Sequence, residues 1–215
     1  SAIEIDRLND FSYYKELQSE LDNFISANIA INILYFFIFA IVWVSLLGFG
    51  SPLLIASGIL FGQWLGTLIS VLAISIGALI LYVIGSFFFR DLVKTILQEK
   101  FNKYINLFKK NEFYYFFIYR LIGGLGVPFG LQNLLPIIFE MGRLNYFISS
   151  LLGFVPAFFI MNTIGAGLNT YIKEAEIFNI FDLLLSSEIY LPILMFLGLM
   201  IASLVIKKKF FDGRN

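Results

Sequence analysis

The chain has 215 residues, of which 59% are apolar, 18% aromatic and only 14% charged, and its mean hydropathy is +0.85. A water-soluble domain carries about 25% charge, so most of this chain is solvated by something other than water and reads as an integral membrane protein. Fifteen basic residues balance fifteen acidic ones, and histidine and cysteine are both absent. Disulfide scaffolds, thiolate metal sites, iron–sulfur clusters, cysteine nucleophiles and Ser-His-Asp triads are thereby excluded, and no basic face is left for nucleic acid.

Residues 1–27 carry Ile5, Leu8, Phe11, Leu17, Leu21 and Phe24 at helical intervals and predict an N-terminal amphipathic segment lying in the membrane interface. They lack the basic start, short apolar core and small-residue cleavage site of a signal peptide. No charge occurs from residue 23 to residue 89. As one helix that stretch would run about 100 Å against a hydrocarbon core of ~30 Å, so it must double back. Asn28 to Leu47 reads as a crossing, ended by Leu47-Gly48-Phe49-Gly50-Ser51-Pro52. Residues of about 48–65 are too short to span and too apolar for a loop, which predicts a re-entrant segment, and Gly66 to Phe89 reads as the next crossing.

From residue 90 to 110, Arg90, Lys94, Lys100, Lys103, Lys109 and Lys110 interrupt an apolar pattern of Leu92, Val93, Ile96, Leu97, Phe101, Tyr104, Ile105 and Phe108. This predicts a cytoplasmic interfacial helix. Residues of about 113–141 are broken by Gly123, Gly124, Gly126, Pro128, Gly130 and Pro136 and predict a second re-entrant segment. Leu144 to Ile172 and Ile189 to Ile206 supply two more crossings, closing a membrane domain over residues 28–206, with a basic tail at 207–215. The excess of Lys and Arg at 90–110 and after Ile206 places those segments, and with four crossings both termini, in the cytoplasm.

The two broken regions also match at a constant offset: Pro128, Gly142 and Gly153 each fall 76 positions after Pro52, Gly66 and Gly77. Each match is a broken segment followed by a crossing, and the charge rule makes those crossings run in opposite directions. The expected fold is therefore all-α, an inverted repeat of re-entrant hairpin plus transmembrane helix with about four full crossings.

Arg120, Gly123-Gly124, Pro128-Phe129, Asn133, Ser150-Leu151-Leu152-Gly153 and Pro156 together resemble the DedA superfamily, also called the VTT domain or SNARE-associated Golgi protein family. Gly50-Ser51-Pro52, Ala56-Ser57-Gly58 and Phe61-Gly62 resemble its first re-entrant motif. The resemblance covers about residues 45 to 170 and is nearest the branch of Golgi and bacterial membrane proteins. It implies two facing re-entrant hairpins and movement of lipid between leaflets, of phospholipid or polyprenyl phosphate, and so a bacterial inner-membrane location. DedA itself carries carboxylates in or before the first hairpin, whereas this chain has none between Asp22 and Arg90.

Arg120 is the leading candidate for substrate binding, because a guanidinium beside a glycine-rich break can hold a lipid phosphate with paired hydrogen bonds. Arg143 is a second cation, although a snorkelling arginine fits that position equally well. Gln132 and Asn133 offer amides in the second hairpin and Ser51 and Ser57 hydroxyls in the first. Gly58, Gly62 and Gly66 form a small-residue stripe for close helix approach, and Pro52, Gly123, Gly124, Gly126, Pro128, Phe129, Gly153 and Pro156 shape the breaks. Glu140 is the carboxylate best placed to shuttle a proton. The expected function is a flippase or scramblase for anionic phospholipid or polyprenyl phosphate, with no cofactor, no metal and no covalent chemistry, and with room for a homo-oligomer. An ion or small-solute channel is the alternative, and a lipid-modifying enzyme a more distant one, since the intramembrane acids are too few.

Overall fold

The computed structural model of the chain describes residues 11–175 and 179–207, with the backbone alone over residues 90–104. The first ten residues of the N-terminal segment, the side-chain pattern from Leu92 to Tyr104 and the tail beyond Lys207 lie outside the described residues. Among the described residues the only regular elements are helices: α1 (Phe11–Ala27), α2 (Ile29–Ser45), α3 (Gly50–Lys110), α4 (Glu112–Leu121), α5 (Phe129–Leu134), α6 (Arg143–Glu174), α7 (Ile180–Leu185) and α8 (Ser187–Lys207), with 3-10 turns at Gly123–Gly126 and Leu135–Ile137.

α1 and α2 meet at a bend of 102°. Asn32 stabilises that corner by donating from Nδ2 to Phe24 O at 3.0 Å, satisfying a carbonyl that the end of α1 leaves unpaired. α1 is tied to the far end of α6 by Lys15 Nζ on Ala175 O at 2.8 Å, Gln18 Nε2 on Asn169 Oδ1 at 2.6 Å and a Lys173–Asp22 ion pair at 2.6 Å.

α3 contains one break. Gly62 has φ 75° and ψ 176°, a conformation essentially confined to glycine. Residues 50–61 form a short arm that folds back on the long arm, residues 63–110. Ser57 and Ser70 would be about 20 Å apart on one straight helix; their hydroxyls are 2.7 Å apart. The short arm also folds back on α2, with the rings of Phe36 and Phe61 5.4 Å apart across the turn at 46–49. The long arm continues without a break through Lys110, where a separate interfacial helix at 90–110 was expected. No glycine or proline interrupts residues 86–110, so nothing local stops the helix.

The second half has the same order of parts. α4 leads into a break at 122–128, the short α5 and the 3-10 turn return, a second break follows at 138–142, and α6 runs on for 32 residues. Pro156 lies inside α6 without ending it. The long arm of α3 and α6 pack antiparallel: Gly66 sits beside Asn162, and Tyr82 stacks on Tyr146 at 4.6 Å. The core between them is Leu53, Leu54, Val71, Ala73, Ile74, Phe154 and Phe158, joined by Val44 of α2 and Phe116 of α4.

Among the described residues two helices are long and apolar enough by length and composition to cross a membrane, Gly50–Phe89 and Arg143–Glu174, or three spans result if the bent pair Ser12–Ala27 and Ile29–Ser45 counts as one. The crossings expected at 66–89 and 144–172 lie within those helices and the one at 189–206 within α8, whose 21 residues run about 31 Å, whereas α2 has 17 residues, about 25 Å against a ~30 Å core. The turns also move. The first reversal falls at 46–49, just ahead of Pro52, and the next at Gly62, so Pro52 lies in the first turn of a helix, where its missing N–H costs nothing.

Candidate functional site

The break at 122–128 exists because Gly123 and Gly124 take φ values of 72° and 71°, and Val127 and Pro128 are extended before α5 begins. Such a break leaves amides and carbonyls without helical partners. Gln132 meets two of them, donating from Nε2 to Val127 O at 2.6 Å and Gly123 O at 3.4 Å. A Cβ at Gly124 would strike the Gln132 side chain, so glycine is required there by space as well as by φ.

Arg120 ends α4 beside this break and is 1% exposed. Its Nη2 donates to Asn133 Oδ1 at 2.7 Å and to the Tyr146 hydroxyl at 3.0 Å, its Nη1 to Gln132 Oε1 at 3.4 Å and its Nε to Ser150 Oγ at 3.3 Å. The guanidinium carbon lies 4.7 Å from the Phe116 ring centre and 4.6 Å from that of Phe154. Thus a full positive charge is held by neutral dipoles and ring faces, with no carboxylate among its partners. Arg120, expected to present a free fork to a lipid phosphate, is turned wholly to protein. It joins α4, α5 and α6 at one point.

The first half holds a smaller polar cluster. Ser57 Oγ lies 3.0 Å from Gly66 O and also hydrogen-bonds Asn162 Oδ1, while Asn162 Nδ2 donates to Phe158 O at 2.8 Å. Ser57, Ser70 and Asn162 are all fully buried. The two clusters occupy matching places, for Asn133 and Tyr146 follow Ser57 and Ser70 by 76 positions each.

Of the expected binding residues, the structure thus gathers Arg120, Gln132 and Asn133 in one cluster and places Ser57 in the other. Ser51, Pro52 and Pro128 are exposed. Arg143 is exposed at the start of α6. Glu140 takes φ 49° and pairs with Lys109 at 3.1 Å. Glu112 accepts from Gly142 N at 3.1 Å and Asn145 Nδ2 at 2.6 Å, capping α6 from a neighbouring helix. Among the described residues no three acidic side chains gather to hold a metal ion. Tyr146, Ser70, Asn162 and the rings of Phe116 and Phe154 escaped sequence reasoning; extending the 76-residue offset beyond its Pro and Gly pairs would have set Ser70 against Tyr146.

The fold and its buried polar breaks define an all-helical integral membrane protein. The VTT domain family matches residues 44–167, more than half of the chain, and the protein belongs to that family, the DedA and SNARE-associated proteins. No solved structure matches the chain.

Proposed function

We propose that the protein moves a phosphate-bearing lipid, a phospholipid or a polyprenyl phosphate, between membrane leaflets, acting as a flippase or scramblase of the bacterial inner membrane. The carrying observation is that two broken helical hairpins touch at their turns, while their polar side chains Ser57, Gln132 and Asn133 are buried behind them. The Phe129 ring lies 3.7 Å from where a Gly50 Cβ would be, and Leu47 Cδ2 lies 3.1 Å from that of Gly130. Irregular backbone at membrane depth is tolerated where it is buried in protein or lines a path, and transporters with inverted repeats place such breaks face to face.

In this reading α2 with residues 50–61 and α4 with α5 are the two re-entrant hairpins, each followed by a crossing helix. The antiparallel course of the two long helices and the 76-residue offset support an inverted repeat. Lipid movement is also what the family resemblance implies. Parting of the hairpins exposes Gln132, Asn133 and Ser57 to a headgroup while acyl chains stay in lipid, and Arg120 meets the headgroup only in that opened state. The basic residues at 90–110 support a cytoplasmic place for that segment.

The test is transbilayer flux of a fluorescent phospholipid in vesicles reconstituted with the purified chain, beside ion flux in the same vesicles. Lipid flux without ion flux is expected; ion flux alone would make the protein a channel. Orientation is tested by external thiol labelling of Lys103→Cys in intact cells, which is expected to fail.

A further inference from the structure

We propose that a surface-connected cavity is the docking site for the phosphate of an anion, with Arg143 as its cation and Ser86 as its hydroxyl donor. The proposal rests on the lipid-transport reading and names where the headgroup first binds. The cavity encloses about 470 Å³ between the long arm of α3 and the end of the second hairpin, and Tyr82, Ser86, Phe87, Ile137, Glu140 and Arg143 are among its walls. That volume is in the range of small-ligand sites.

The walls are held in place. Gly85 has no side chain where Leu134 and Ile137 press on the helix, at 2.5 Å and 2.9 Å from an added Cβ, so the second hairpin seats directly on α3. The Tyr82 hydroxyl donates to Met141 O at 2.6 Å, pinning the segment that carries Glu140 and Gly142. The Tyr82 ring is itself stacked on Tyr146.

Among the described residues lining the cavity, Arg143 is the cation left over. Glu140 is engaged by Lys109, and the Glu112 carboxylate is occupied with Gly142 N and Asn145. Arg143 is exposed and has no hydrogen-bond or ion-pair partner among the described residues. Ser86 Oγ is buried and likewise has no partner, which is unusual for a helical serine, since the carbonyl one turn back is within reach. A buried hydroxyl without a partner and an open guanidinium on one cavity suit a phosphate, which accepts from both. Phe87, 83% exposed, and Ile137 supply the apolar wall that an attached glycerol and acyl chain would follow. Surface snorkelling accounts for Arg143 but gives no role to Ser86.

The experiment is native mass spectrometry of the purified full chain in detergent, with dioleoyl phosphatidic acid, dioleoylglycerol and inorganic phosphate as probes. Phosphatidic acid is expected to be retained over dioleoylglycerol. Arg143→Gln should lower its affinity about tenfold and Ser86→Ala several-fold, while Lys110→Gln, an exposed charge of the same helix, should change it less than about twofold. Resistance of the bound lipid to inorganic phosphate assigns a lipid ligand; displacement by it assigns a free phosphate at the same groups. Equal retention of dioleoylglycerol, or equal losses in Arg143→Gln and Lys110→Gln, would overturn the site. Flux is measured on the same preparations. Wild type that retains phosphatidic acid without moving lipid defeats the transport reading and leaves the site standing; wild-type flux unchanged in both variants, with retention also unchanged, defeats the site alone.

Discussion

Gly153 of α6 lies against the side-chain root of Arg120, where a Cβ of its own would fall 2.5 Å from the Arg120 Cβ and 3.1 Å from Phe117 O. Gly77 meets Val44 Cβ at 2.9 Å and Ile41 O at 2.8 Å, every partner displaced by 76 positions. The same helix crossing is thus built twice around a glycine, once with a buried valine and once with a buried arginine. The valine needs only apolar neighbours. The arginine requires Asn133, Gln132, Tyr146 and Ser150 around it.

Gly153→Ala is expected to destabilise the protein by about 1–3 kcal/mol, because the helices must part to admit a methyl group that helix propensity alone would favour. Gly198→Ala, with nothing within 4 Å, should stay within about 0.5 kcal/mol of wild type. Thermal unfolding in detergent measures both. A Gly153→Ala protein as stable as wild type would contradict the close crossing.

Gly62→Ala is a test of conformation rather than space, since no atom lies within 4 Å of the added Cβ but φ is 75°. The cost should be about 1–3 kcal/mol. An unchanged melting temperature would mean that the chain does not reverse at this residue.

Arg120→Lys should lose about 2–3 kcal/mol, for an ammonium cannot reach the four acceptors that the planar fork serves and leaves buried dipoles unpaired. Arg143→Lys, at an exposed position, should melt with wild type. The two are compared by circular dichroism on heating. Equal stability of Arg120→Lys would show that the partners rearrange without loss.

The Ser57→Cys/Ser70→Cys pair should oxidise to a disulfide, since the hydroxyls it replaces are 2.7 Å apart and the chain has no other cysteine to compete. If the first hairpin must move during transport, oxidation should cut lipid flux several-fold and a reductant should restore it. Flux unaffected by a complete cross-link would confine the moving part to the second hairpin.

Composition and charge spacing were enough to read a helical membrane protein, and the glycine and proline clusters at 47–52 and 122–128 marked two real breaks. The reversal at Gly62 was not legible in the same way, because Gly58, Gly62 and Gly66 form a spacing that serves packing equally well, and only the backbone angles separate a hinge from a contact. Two of them do pack: added Cβ atoms at Gly58 and Gly66 would collide with Asn162. Arg120 was misjudged in its surroundings for a related reason. Its acceptors come from positions 132, 133, 146 and 150, and nothing local in the sequence says whether an arginine near a break faces headgroups or dipoles. The role of residues 28–47 was not legible either, because apolar length does not separate a span from one arm of a hairpin, and α2 ends after 17 residues at a turn that touches the other half.

The short helices are exchanged between the halves. Gly58 and Ile55 of the first hairpin lie on Asn162 and Gly165 of α6, and Leu134 of the second lies on Gly85 of α3. During synthesis the first hairpin therefore leaves the ribosome well before its seat on α6 has been made. Until about residue 165 is made, the hairpin has only Gly66 and Ser70 of its own half to lie against, and the places of Asn162 and Gly165 are left to lipid or the insertion machinery. The seat of the first hairpin is thus complete only once α6 has been made, about a hundred residues after the hairpin itself.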